Sequence, residues 1–242
     1  MAKRPEFYNG GIYHVYNRGT EKRDVFLDSG DFVRFVHDLY VLNDEATHVH
    51  TRRRVPVFAR RDVRGPTSDI PARKRKLLVE VIAWVLMPNH YHVILQQRAD
   101  DGVSRFMQKL GTGYTMYFNE RYERNGVLFQ GKYKVKPVET DAYLRHLVHY
   151  VHGNPTALWK EGKVARGKME REDEALGRLR EYRWSSYLDY VGEKNFPSVL
   201  SGNIVVELGL FQGMRYEKDL RDWLQHFGKN VAGLGSLAID AE

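Results

Sequence analysis

A chain of 242 residues with 42% hydrophobic content can bury a full core, as one domain with extensions or as two small ones. No run approaches 18 consecutive apolar residues, which argues against a membrane span. Met1-Ala-Lys-Arg-Pro5 lacks the apolar segment of a secretory signal, and the absence of cysteine excludes disulfides and thiolate ligands and fits a cytoplasmic protein. The net charge of +7 is unevenly spread: between Arg52 and Lys76, ten Lys/Arg stand against Asp62 and Asp69, so this segment carries +8 and the remainder −1. A basic block beside a near-neutral body points to contact with a polyanion, and a solvated loop is the bland alternative.

In chain order, Gly11 to Gly19 (GIYHVYNRG) alternates apolar and polar residues and reads as a first strand. Asp28-Ser29-Gly30-Asp31 caps a helix whose apolar face is Phe32, Phe35, Val36, Leu39 and Leu42. From about 44 to 76 periodicity fails, which marks a long basic insertion. Leu77–Leu86 and His90–Gln97 read as strands joined through Met87-Pro88-Asn89, a turn signal. Val103–Tyr122 is a helix with Val103, Phe106, Met107, Leu110, Tyr114, Tyr117 and Phe118 on one stripe. Val127–Val138 is extended and basic, one or two strands kinked near Gly131. Thr140-Asp141 then caps a helix from Ala142 to about Gly153, stopped by Pro155. Lys160–Arg180 reads as a charged linker running into a helix, Tyr182–Tyr190 as an aromatic cluster, and Val205–Leu210 and Tyr216–Phe227 as further helices. This order suggests an α+β domain with an antiparallel sheet.

Chemistry concentrates in two places. Side chains alternate along a strand, so His90 and His92 project from one face and Tyr91 from the other. Two imidazoles held this way can share a divalent cation, or can simply be polar residues on a half-buried sheet. On the helix after Thr140, Leu144, Leu147, Val148 and Val151 form the apolar stripe, while Tyr143, His146, Tyr150 and Asn154 share a flank away from it. Among the fifteen tyrosines, Tyr114 sits mid-stripe and reads as core. Tyr150 lies off its stripe with the Asn154 amide one turn later, where the alternative is a helix cap and an edge-packing phenol. His146, His149 and His152 read as surface or helix-dipole groups, and His14 as either a neighbour of the site or filler of a sheet face.

Met87-Pro-Asn-His-Tyr-His-Val-Ile-Leu95 resembles the HUH motif (His, bulky hydrophobic residue, His) of the single-tyrosine transposases of bacterial insertion sequences, and most of all their REP-associated branch. The strand ending in Asn17-Arg18-Gly19 is similar to that family's first strand, and Tyr150-Val-His-Gly-Asn154-Pro155 to its nucleophile motif. The likeness runs over most of residues 8 to 158, with a looser echo at Trp184-Ser-Ser-Tyr187. The 44–76 insertion departs from the compact connection expected of the family.

The resemblance implies a ferredoxin-like domain over residues 1–160 and a mainly helical C-terminal extension over 161–242. His90 and His92 would lie on an inner strand, with the Tyr150 helix packed across the sheet edge. It further implies a cytoplasmic transposase: a single-stranded DNA endonuclease and strand transferase acting on imperfect palindromes or hairpins. Tyr150 would form a 5′-phosphotyrosine link, and His90, His92 and Asn154 would hold one Mg²⁺ or Mn²⁺. Arg52, Arg53, Arg54, Arg60, Arg61, Lys132, Lys134 and Lys136 are the residues expected on phosphates. Water or His146 could serve as base, and monomer and homodimer both stay open. The rival classes are a non-catalytic nucleic-acid-binding regulator that keeps the fold, and a metal-dependent hydrolase without a covalent intermediate.

Overall fold

The alternating stretches become four strands in the computed structural model. β1 (Ile12–Arg18), β2 (Val79–Met87), β3 (His90–Gln97) and β4 (Lys134–Val138) form one antiparallel sheet in the order β2-β3-β1-β4. α1 (Ser29–Val41) connects β1 to β2, and α2 (Gly102–Arg121) connects β3 to β4. Each connection passes over one intervening strand, which is the ferredoxin-like α+β topology. α3 (Asp141–Gly153), α4 (Lys168–Glu181), α5 (Tyr187–Tyr190), α6 (Gly202–Glu207) and α7 (Met214–Asn230) supply the helical C-terminal part. The structure describes residues 5–46, 75–159, 168–210 and 213–230; Arg52, Arg53, Arg54, Arg60 and Arg61, with most of the basic insertion, lie outside them. Among the described residues no helix is long and apolar enough to cross a membrane.

Local chemistry sets the element ends. The Asp28 carboxylate caps α1 by accepting from the Gly30 and Asp31 amides. The Pro88-Asn89 hairpin is held by the β1–α1 connection: Gly19 N–H donates to Asn89 O, and Val25 and Phe26 N–H both donate to Pro88 O. That clamp fixes the start of β3, and therefore His90. Gly102 opens α2 against the backbone of Leu78, whose carbonyl oxygen would lie 2.2 Å from any added Cβ. Only glycine fits there.

The sheet buries both faces. One packs on α1 and α2 through Tyr13, Val15, Trp84, Leu86, Tyr91, Val93 and Leu95. The other packs on α3 through Ile82, Ala83, Val85 and Ile94 against Leu144, Leu147, Val148 and Val151, and the same core continues into Leu176, Leu179, Tyr216 and Trp223. β2 is an edge strand, yet its outer polar groups are taken up. Trp84 N–H donates to Ser186 Oγ, Ser186 N–H to Trp84 O, Leu86 N–H to Trp184 O, and the Tyr182 and Tyr190 hydroxyls to Leu86 O and Ile82 O. The aromatic cluster is therefore an edge cover.

Four expectations change. The strand within 127–138 shrinks to β4, because Gly131 turns the chain at φ +81° and Phe129 pairs only through a single bridge to Gly19. The linker expected to run into a helix over Lys160–Arg180 has already become that helix, α4, by Lys168, and its Leu176 and Leu179 are buried. The helix placed at 205–210 runs from Gly202 to Glu207. Finally, α3 lies across the face of the sheet and not across its edge, because its apolar stripe meets Ile82, Val85 and Ile94.

Candidate active site

Strand register assembles the site. Residues directly opposite in an antiparallel pair share a face, and β1 aligns His14 with Ile94 and Lys136, Tyr16 with His92 and Lys134, and Arg18 with His90. On this one face β1, β3 and β4 each carry an apolar residue (Ile12, Ile94, Val138) on one side and imidazole or cationic groups towards the other, while β2 is apolar throughout. The apolar end meets the α3 stripe. The polar end meets Tyr150 and Asn154, the last residues of the same helix to face the sheet.

His90 and His92 do share that face, with rings 5.1 Å apart and nearly perpendicular. His90 Nδ1 lies 2.6 Å from Asn89 Oδ1 and Nε2 lies 3.3 Å from Asn154 Oδ1. A neutral imidazole donates from one nitrogen only. With Nδ1–H given to Asn89, the Nε2 lone pair faces the Asn154 oxygen, and two acceptors confront one another. A cation between them would satisfy both. His92 Nδ1 lies 2.9 Å from His14 Nε2, while His92 Nε2 is buried without a hydrogen-bond partner. Burial first, then the charges of His14, His90 and Arg18 (if His14 and His90 are protonated), push His92 well below the usual imidazole range. Burial, then Lys136, holds His14 at about 3. Both rings are neutral near pH 7, the form that ligates. Among the described residues no three His, Cys, Asp or Glu side chains gather as a metal cluster; the donor set is two imidazoles and one amide, and it fits a divalent ion with positions left open.

Tyr150 stands edge-on to His92 at 5.5 Å and 90°, and edge-on to His14 at 6.4 Å. It is only 5% exposed, whereas the sequence placed it on a flank open to substrate. The difference arises because Tyr150 turns onto the sheet beside His14 and His92, so the sheet-facing arc of α3 is wider than its apolar stripe. Tyr114 is fully buried on the opposite side of the sheet and donates its hydroxyl to Val25 O at 2.6 Å.

The helical histidines are not surface groups. His152 is fully buried, with Nδ1 against the Tyr216 hydroxyl and Nε2 2.7 Å from Ser186 Oγ. His149 packs on Tyr216 and Trp223. Trp223 Nε1 donates to His146 Nδ1 at 2.8 Å, so neutral His146 keeps its hydrogen on Nε2 and has no lone pair left to act as a base. All three fasten α3 to α7, and the chain closes at Gly153, where an added Cβ would stand 2.9 Å from the Trp223 ring. The periodicity of α3 alone held no sign of a second helix on its back.

Lys134 is exposed and Lys136 half-buried, both on the site's face, while Lys132 is exposed in the turn before β4. Sequence reasoning assigned no role to Tyr16, whose ring stacks on His92 at 5.6 Å, or to Arg18 opposite His90. Alternation groups Tyr16 and Arg18 with His14 on one face of β1, and only the register against β3 makes it the face of His90 and His92. A cleft of about 450 Å³ lined by Tyr40, Asn43, Arg75, Glu80, Arg98 and Asn203 lies at the other end of the sheet and shares no residue with this site.

Residues 46–154 match the family described as transposase IS200-like. That span contains His90, His92, Tyr150 and Asn154. Among solved structures the chain is similar to a REP-associated tyrosine transposase bound to a REP hairpin, at 15% identity over 84% of this chain and 92% of that one, with a TM-score of 0.48. A search of curated proteins finds no match.

Proposed function

We propose, from the match of residues 46–154 to the IS200-like transposase family, that this chain cuts and rejoins single-stranded, hairpin-containing DNA through a covalent link to Tyr150. One observation carries this reading: the Tyr150 ring stands edge-on to His92, one turn before Asn154, whose amide oxygen faces His90 Nε2. A phenol, two imidazoles and an amide oxygen thus converge on one sheet face bordered by Arg18, Lys134 and Lys136.

His90, His92 and Asn154 would hold a divalent cation, Mg²⁺ or Mn²⁺, which when bound supplies charge neutralisation at the phosphate. Tyr150 Oη attacks phosphorus, the bond between phosphorus and the 3′ oxygen breaks, that oxygen takes a proton from water, and a free 3′-hydroxyl and a 5′-phosphotyrosine result. The phenolic proton leaves to water, since the lone pair of His146 is committed to Trp223. The phosphotyrosine keeps the ester bond, so an incoming 3′-hydroxyl can displace Tyr150 and rejoin the strands. Arg18, Lys134 and Lys136 hold the strand by its phosphates. Because Tyr150 is buried, the strand gains access only as α3 or the Tyr150 side chain shifts.

The test is incubation of the full chain with a single-stranded hairpin oligonucleotide and Mn²⁺, followed by a denaturing gel. A DNA-linked protein band and a shortened oligonucleotide are expected. Binding without adduct or cleavage would favour a regulator that retains the fold, and cleavage without adduct a hydrolase.

A further inference from the structure

The reaction above leaves His14 without a task, although it is fully buried at the centre of the imidazole group. Its ring lies within 14° of parallel to that of His92 at a centroid separation of 5.0 Å, with His14 Nε2 2.9 Å from His92 Nδ1. Such spacing is that of an N–H···N bond between ring edges. One proton bridges the two nitrogens, and its owner decides what His92 presents to the site. If His14 Nε2 carries it, the hydrogen of His92 sits on Nε2 and blocks that nitrogen as a ligand. If His92 Nδ1 carries it, the His92 Nε2 lone pair is bare.

Two features favour the second arrangement. Arg18, opposite His90, sets a positive charge beside His92, which a lone pair accepts and an N–H does not. The neighbouring ligand is arranged in the same way, with His90 Nδ1 on the Asn89 oxygen at 2.6 Å and Nε2 turned to Asn154. Ligating imidazoles commonly fix their tautomer by donating the other ring N–H to a partner.

We propose that His14 is a positioning residue that accepts the Nδ1–H of His92 and so holds the His92 Nε2 lone pair towards the site. This rests on the cation reading of His90, His92 and Asn154. An imidazole thereby does on β1 what the Asn89 amide does in the hairpin.

The test needs no catalysis. Long-range ¹H–¹⁵N NMR of the histidine rings in the metal-free full chain should show His92 as the Nδ1–H tautomer. His14→Phe removes the acceptor and should move His92 towards Nε2–H, while His14→Gln, which can still accept, should hold it. Titration with Co²⁺, read by visible absorption, should show affinity falling about 10- to 100-fold in His14→Phe and recovering in His14→Gln. An Nε2–H tautomer in the unsubstituted protein overturns the role given to His14, and so does unchanged Co²⁺ affinity in a folded His14→Phe protein. If His14→Phe fails to fold, the tautomer of the unsubstituted protein alone decides. A protein with the Nδ1–H tautomer that binds no Co²⁺ contradicts instead the cation reading on which the role depends.

Discussion

The two faces of the sheet are built from the same strands and do different work. Towards α1 and α2, β3 turns Tyr91, Val93 and Leu95 inward together with Gln97, whose carboxamide oxygen accepts from Val103 N–H, and the tyrosine buried against this face, Tyr114, spends its hydroxyl on Val25 O. Towards α3, the same strand carries His90, His92 and Ile94, and buried His14 Nδ1 and His92 Nε2 have no hydrogen-bond partner. An unsatisfied buried polar atom costs roughly 1–3 kcal/mol. Trp84 Nε1 on the first face is likewise unpartnered, but on the second the unused bonding capacity belongs to two imidazoles that stand beside a phenol. Strain of this kind is expected where a ligand completes the structure.

The largest effect should come from exchanging single hydroxyls on the two faces. Tyr150→Phe should abolish the covalent adduct and strand cleavage while leaving hairpin affinity and the circular dichroism spectrum unchanged. Tyr114→Phe should do the reverse: cleavage persists, and stability falls by about 1–3 kcal/mol because the buried Val25 carbonyl loses its donor, read as a lower urea midpoint. Loss of adduct in Tyr114→Phe with normal chemistry in Tyr150→Phe would reverse the assignment of the faces.

Next in size are the imidazoles. His90→Ala or His92→Ala should remove the response to Mn²⁺ together with several kcal/mol of transition-state stabilisation, whereas truncating Val93, the next residue of β3 and part of the other face's core, should lower stability and spare the Mn²⁺ response. Cleavage by His92→Ala that still rises with Mn²⁺ would detach the ion from this face.

Acid should separate the faces by stability. His14, His92, His149 and His152 are all depressed by burial, His14 to about 3 and His149 to about 4, and all lie on the second face or on α3. The unfolded imidazoles take up protons below about 6.5 that the folded ones refuse, so their stability contribution is intact above that pH and is lost as pH falls through the folded values. Each group costs about 1.4 kcal/mol per pH unit in that window. Hydrogen exchange at pH 7, 6 and 5 should show α3 and α7 losing protection before α1 and α2. Equal loss in both pairs would argue against the contrast.

The smallest effect concerns the basic insertion. Replacing Arg52, Arg53, Arg54, Arg60 and Arg61 together by glutamine should flatten the slope of log affinity against log salt by about 3 to 4 on single-stranded DNA. Arg75 is best left in place, because it stacks on Tyr40 at 3.6 Å and donates to its carbonyl. An unchanged slope would identify a solvated loop.

Much of this contrast was legible in the chain. Alternation put His90 and His92 on one face and Tyr91 on the other, and the 3.6-residue stripe assigned Tyr114 to the core, because both periods are set by backbone geometry. What escaped depends on contacts between distant segments. Nothing within α3 announces that Trp223 and Tyr216 will cover its outer side, so His152 read as exposed; nor does it say that Tyr150 will turn onto His14 and His92, so Tyr150 read as open. Nothing in the Tyr182–Tyr190 cluster says that it will cover the β2 edge. His14 and Arg18 entered the site only through the β1–β3 register, which a single strand does not encode.

The central claim is that the second face carries a nucleophile at Tyr150. The most direct measurement is mass spectrometric mapping of the linked nucleotide after the full chain has reacted with a hairpin oligonucleotide in Mn²⁺ and been digested with trypsin. The account predicts a nucleotide phosphate on Tyr150, in the peptide His146–Lys160. A nucleotide on Tyr114 or any other tyrosine, or none on a protein that has cut its DNA, would contradict it.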